Sequence, residues 1–231
     1  MSEVSIYLDG PSLEQISEID SNVIKGFTFN PTLFRNAGVL DYLGHCRKIL
    51  EISDDLPVSL EVIADDQEGM IRQARILAGL GSNVLVKVPI TFTNGESTRE
   101  VIGTLAAEDI KLNITAVFTL SQVETILPAL GQSCSIISVF AGRLFDIGVD
   151  AVTATQTIVD RVRSESDCLV LWASPRMVYD FKNASSSGCD IITMAPSLIR
   201  KLNLFNKSSD EYSLDTVKMF YSDAVASGYN L

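Results

Sequence analysis

Val84-Leu-Val-Lys-Val-Pro89 places one lysine inside a short aliphatic run. Val84, Leu85, Val86 and Val88 have the character of a strand buried on both faces. An ammonium group there is costly to desolvate, so Lys87 needs a partner or a route to water. A neutral amine in such a place can attack a carbonyl and form a Schiff base. The alternative is a strand-end lysine whose head snorkels to solvent. The residues at the ends of the other apolar runs decide between the two. They are Asp9, Thr28 with Asn30, Glu61, Asn113 with Thr115, Ser138 with Arg143 after it, and Ser174 with Arg176. Each has an ordinary explanation as a turn former, a strand hydroxyl or a solvated cation. Acids, amides and hydroxyls that all converge on one buried lysine point instead to a reactive amine.

Convergence requires a scaffold that brings those ends together. Apolar runs fall at Val4–Leu8, Gly26–Asn30, Pro57–Val62, Val84–Pro89, Leu112–Phe118, Ser135–Phe140, Cys168–Ala173 and Ile191–Met194. Helical periodicity lies between them, at 13–19, 40–52, 69–79, 96–108, 120–130, 151–164 and 177–186, and a helix over 196–202 follows the last. Thr91–Gly95, Gly142–Asp150 and Asn203–Asp210 read as loops, and Leu214–Ala226 as a last helix without a following strand. Eight βα units in 231 residues predict an α/β fold, a closed (β/α)8 TIM barrel. The expected organisation is one barrel domain over 1–231, with 203–231 as a C-terminal extension. An open doubly wound sheet is disfavoured, because Asp9-Gly10-Pro11 is not a Gly-rich phosphate loop. In a barrel the C-terminal strand ends share one cavity, which seven of the strands would supply with polar groups.

Bulk properties bound the chemistry. A net charge of −11 argues against a nucleic-acid partner, since phosphate neutralisation needs a basic face. A few local cations still suffice for one small anionic substrate. The single histidine, His45, and four dispersed cysteines argue against a zinc site. His45 reads as a surface or packing residue and Trp172 as a core residue. No run approaches the roughly 18 apolar residues of a membrane span, and the N-terminus lacks a signal-peptide pattern. Asn183-Ala-Ser185 matches a glycosylation acceptor that a cytoplasmic chain would not use. A soluble, cytoplasmic protein is expected.

The ordered set Ile6-Tyr-Leu-Asp9, Gly26-Phe-Thr-Phe-Asn-Pro31, Glu61-Val62, Val86-Lys-Val-Pro89, Leu112-Asn-Ile-Thr-Ala-Val-Phe118, Ser138-Val-Phe-Ala-Gly-Arg143 with Asp146, and Trp172-Ala-Ser-Pro-Arg176 resembles the transaldolase family. The resemblance extends to that family's short relatives, the fructose 6-phosphate aldolase-like proteins, and runs along nearly the whole chain. It implies a Schiff base on Lys87 that carries a dihydroxyacetone unit from a ketose phosphate to an aldose phosphate, without metal or organic cofactor. It implies Asp9 as acid/base, and Glu61 and Thr115 as holders of a catalytic water. Asn30, Asn113 and Ser138 would contact substrate hydroxyls, with Thr28 beside them, and Arg143, Ser174 and Arg176 would bind the phosphate. Phe140 and Glu61 look like the transaldolase branch, since the aldolase branch typically has Tyr and Gln there. The alternatives are a lyase that releases free dihydroxyacetone and a transaldolase that acts on a sulfonated sugar. The resemblance also implies pentose phosphate pathway chemistry and a homo-oligomer, a pentamer or decamer. Pro175 and Phe29 depart from the family pattern and are expected at the cavity.

Overall fold

The computed structural model describes residues 4–20, 22–131, 133 and 135–229, so Cys134 lies outside the described residues. Eight strands close a barrel in chain order: β1 (Ser5–Asp9), β2 (Ile24–Thr28), β3 (Val58–Glu61), β4 (Val84–Pro89), β5 (Leu112–Val117), β6 (Ile136–Val139), β7 (Leu169–Trp172) and β8 (Ile191–Met194). Neighbouring strands are parallel, and β8 closes on β1 through Tyr7–Thr193 and Leu8–Met194. This is the (β/α)8 barrel that the alternation predicts.

Side chains of a strand alternate between its two faces. Phe27, Phe29, Leu60, Val86, Ile114, Ile137, Trp172 and Ile192 face away from the axis and are buried. Trp172 meets Phe145, so its reading as a core residue holds. The barrel interior has two zones. Tyr7, Leu85, Ile136, Leu171, Ala173 and Ile191 form an apolar cluster toward the floor. Polar residues on the same inward face stand above it. Gly26 makes room for that floor: a Cβ there would lie 2.6 Å from the Tyr7 ring and 2.9 Å from the Pro57 carbonyl.

The helices between strands are α1 (Leu13–Ser17), α2 (Pro31–Asn36), α3 (Tyr42–Glu51), α4 (Gln67–Ala78), α5 (Arg99–Ala107), α6 (Leu120–Leu130), α7 (Ala141–Asp146), α8 (Ala151–Glu165) and α9 (Asp180–Ser186), and α10 (Pro196–Ile199) follows β8. Four differences from the sequence reading have local causes. Asn30 caps an additional helix, α2, by accepting from the Leu33 amide, and Pro31 starts it. Residues 142–146, within the expected loop 142–150, belong to α7. Asp66 starts α4 earlier than expected by accepting from the Gly69 amide. Glu96 and Ser97 belong to a short antiparallel turn in which Thr91 pairs with Ser97, so α5 begins only at Arg99.

The chain divides into two compact units, Met1–Pro196 and Ser197–Leu231. The second carries a 3-10 helix, Leu202–Asn206, where a loop is expected, and α11, Ser209–Ser227. Ser208 and Glu211 form a reciprocal capping box that starts α11 five residues before the predicted Leu214. No residue of α11 is buried, and Val217, Phe220, Tyr221 and Val225 are exposed. No described helix is long and apolar enough to cross a membrane.

Candidate active site

Strand register sets the first contacts. Glu61, Lys87 and Asn113 are direct neighbours across β3, β4 and β5, and Asp9 pairs with Thr28 across β1 and β2. Lys87 is 6% exposed. Its Nζ donates to the Phe29 carbonyl at 3.0 Å and lies 3.3 Å from Glu61 Oε2. The ammonium is thus held by one charge and one carbonyl, which answers the cost of burying it. Tyr42 of α3 donates to the Glu61 backbone carbonyl at 2.6 Å and pins the end of β3.

A cavity of about 150 Å³ opens above the apolar floor. Asp9, Thr28, Asn30, Lys87, Thr115, Ser138, Phe140, Arg143 and Ser174 line it, together with Thr193 of β8. Nine of the twelve predicted site residues therefore share one cavity. Asn113 lies behind it, fully buried. It donates to Ser59 Oγ at 3.0 Å and accepts from the Ser138 hydroxyl at 2.6 Å. Glu61 reaches the site through Lys87 and otherwise lines an adjacent cavity with Tyr42, Arg72 and Gln73. Arg176 lies outside the lining set, half-exposed and forked onto the Asp146 carboxylate. Its backbone N–H donates to the buried Asp180 carboxylate at 2.6 Å, which fixes the turn after β7.

Burial pushes the Asp9 carboxyl above its ordinary value, while the Thr28 hydrogen bond and the Lys87 charge pull it back down. Burial likewise raises Glu61, with Lys87 opposing. Burial outweighs the shared ammonium at both acids, so both hold their protons more tightly than exposed carboxyls do. Thr115 Oγ1 is buried at the cavity with no hydrogen-bond partner among the described residues. Arg143 stacks on the Phe140 ring at 5.3 Å, and Phe118 supports that ring from 5.8 Å. Ser174 has φ 61°, and its carbonyl sits where a Cβ on Gly142 would be. Only glycine therefore permits this approach of α7 to the turn after β7.

Two residues expected at the cavity stand elsewhere. Phe29 is not at the cavity: strand alternation turns it outward against Phe34 at 5.4 Å, and only its carbonyl serves the site. Pro175 is also absent from the lining, standing instead against Gly142. Three contributors were missed. Ser59 orients Asn113, Tyr42 pins the end of β3, and Thr193 makes β8 the eighth contributing strand. Thr193 is the one hydroxyl in Ile191-Ile-Thr-Met194, the same signal that identifies Ser138. His45 packs edge-on against Phe34.

These features define a (β/α)8-barrel protein with a lysine–carboxylate centre at the C-terminal mouth of its barrel. The family model for transaldolase/fructose-6-phosphate aldolase matches residues 6–230, and the chain belongs to that family. A probable transaldolase of Exiguobacterium sibiricum is 35% identical over 198 residues, covering 85% of this chain and 88% of the relative. One of Thermoanaerobacter sp. is 32% identical over 201 residues, covering 86% and 89%. Among solved structures, dihydrodipicolinate synthase from Rhodopseudomonas palustris superposes with a TM-score of 0.56 at 14% identity, covering 96% of this chain and 80% of that one. That likeness concerns the fold alone.

Proposed function

We propose that this protein is a Schiff-base transaldolase that moves a dihydroxyacetone unit between sugar phosphates. The observation that carries this reading is Lys87 Nζ, buried 3.3 Å from Glu61 in a cavity that it shares with Asp9. Glu61 is placed to take a proton from the ammonium, which frees the amine lone pair to attack the keto carbon of a ketose phosphate. Loss of water then gives an iminium. Asp9 removes the C4 hydroxyl proton as the C3–C4 bond breaks, and the electron pair of that bond flows into the iminium to give an enamine. The first aldose phosphate departs. The enamine attacks the aldehyde of a second aldose phosphate, Asp9 returns its proton to the new alkoxide, and water releases the ketose. The unpartnered Thr115 hydroxyl is suited to orient that water.

Borohydride with fructose 6-phosphate is expected to leave a reduced adduct on Lys87, seen as a mass shift on the peptide that contains it. An unmodified peptide overturns the reading. Phe140 supports transfer over release of free dihydroxyacetone, because it presents a ring without a hydroxyl to the cavity. Phe140→Tyr is accordingly expected to raise turnover of fructose 6-phosphate without an acceptor by severalfold, measured by coupled assay. No increase would separate the ring hydroxyl from the partition between the two reactions.

A guanidinium fork matches a phosphate group. Arg143 already faces the cavity, and its stacking on Phe140 holds it there. Arg143→Ala is expected to raise KM for phosphorylated sugars by roughly 10- to 100-fold, the range for loss of charge-assisted hydrogen bonds. Unphosphorylated analogues should change little. The same substitution at Arg176 should act in the same direction but less, because Asp146 already occupies its guanidinium. Equal effects on phosphorylated and unphosphorylated sugars contradict the role.

A further inference from the structure

Two hydroxyls and one carboxylate form a chain across three strands. Thr28 Oγ1 donates to Asp9 Oδ1 at 2.6 Å and lies 2.5 Å from Thr193 Oγ1. Thr28 is 2% exposed and Thr193 5%, so bulk solvent has little access to these bonds. A threonine hydroxyl has one proton and two lone pairs. Thr28 spends its proton on the carboxylate, so the hydroxyl of Thr193 must donate to Thr28. The direction of the chain is thereby set, from β8 through β2 to β1. A hydroxyl that accepts one hydrogen bond becomes a better donor in the next.

We infer that Thr193 is a positioning residue for the acid/base Asp9, acting through Thr28. This rests on the reading of Asp9 given above. The chain ties up Oδ1, and among the described residues no other protein group bonds the Asp9 carboxylate. Oδ2 is left for the reacting hydroxyl. The chain also favours the ionised carboxylate, opposing the burial that raises it. Other charges face Asp9 from Lys87 on β4, Glu61 on β3 and Arg143 on α7. Lys87 acts in the same direction as Thr28 and Glu61 in the opposite one, and neither touches Thr193 in this arrangement. Apolar replacement of Thr193 therefore changes one hydrogen bond and leaves the charges in place.

The test compares Thr193→Val and Thr193→Ser with the wild type. Loss of the hydroxyl makes Asp9 a weaker acid, so more of it is protonated at a given acidic pH. Thr193→Val is expected to lower kcat about five- to tenfold with KM changed less than twofold. The acid limb of its pH–rate profile should move up by about half a unit. Thr193→Ser should restore both. In a Thr28→Val background the chain is already broken, so adding Thr193→Val should shift the limb no further. Should the valine variant fail to fold, Thr193→Ala carries the same expectation. Borohydride trapping separates the two levels of the argument. Adducts on Lys87 in wild type and variant, with an unmoved limb or no rescue by serine, overturn the role of Thr193 alone. No adduct in the wild type overturns the parent reading and this role with it.

Discussion

Lys87→Met is expected to lower kcat by at least about 10⁴-fold, equivalent to roughly 5.5 kcal/mol of transition-state stabilisation. The side chain keeps its length and its place in the buried strand, where β4 pairs with β3 and β5. What disappears is the one amine in contact with both Glu61 and the cavity. Among the described residues no other lysine lines that cavity, so no second amine is there to stand in for it. Methionine leaves Glu61 without its cation. That carboxyl is already raised by burial, so it can take up a proton rather than remain an unpaired buried charge. The variant should therefore fold, with a melting temperature within a few degrees of the wild type. It should still bind a ketose phosphate through Arg143 and the hydroxyl-binding residues, measurable by calorimetry. Substantial turnover by the folded variant would remove the Schiff base from the mechanism.

The barrel and most of the site were legible because both follow from period-two alternation. A parallel strand covered on both faces reads as an apolar run, and an inward polar residue near its end interrupts that run. The bounds of Ile191–Met194 and Leu120–Leu130 are those that the sequence pattern predicts. The latter is capped by Thr119, which forms a reciprocal capping box with Gln122. α7 escaped notice because Phe140 supplies no capping side chain and Gly142 interrupts the helical pattern. The start of α11 was readable, since Ser208 and Glu211 have capping-box spacing, but polar composition around it reads more simply as loop. The partner of Thr193 is hidden for a different reason. A threonine in a strand is ordinary, and only the closure of β8 on β1 brings it beside Thr28. The link between Arg176 and Asp146 likewise spans 30 positions and depends on the turn fixed by Asp180. Local pattern places residues on faces; barrel closure decides which of them touch.

Asp9→Asn is expected to separate bond cleavage from imine formation, with opposite effects on activity and stability. Asparagine keeps the size of the side chain and can still accept the Thr28 hydrogen bond through its amide oxygen. It cannot take the C4 hydroxyl proton, so kcat should fall by about 10²- to 10⁴-fold. Attack by Lys87 does not need that proton transfer, so borohydride should still trap an adduct, now carrying the uncleaved ketose. Stability should move the other way. The wild-type carboxyl is raised in the folded protein chiefly by burial, which means the folded state holds this proton more tightly than the unfolded chain. Its contribution is therefore lost as pH rises through the folded-state value, and the ionised carboxylate is a net cost at neutral pH. Asparagine does not titrate. The melting temperature of Asp9→Asn should exceed that of the wild type near pH 7, by about 2–4 °C for each kcal/mol relieved in a domain of this size. The gap should close as pH falls below the ordinary aspartate range, where both side chains are neutral. A gap of constant size across pH would mean that packing, not the buried charge, sets the difference. Loss of the adduct would mean that Asp9 acts before the carbon–carbon bond is reached.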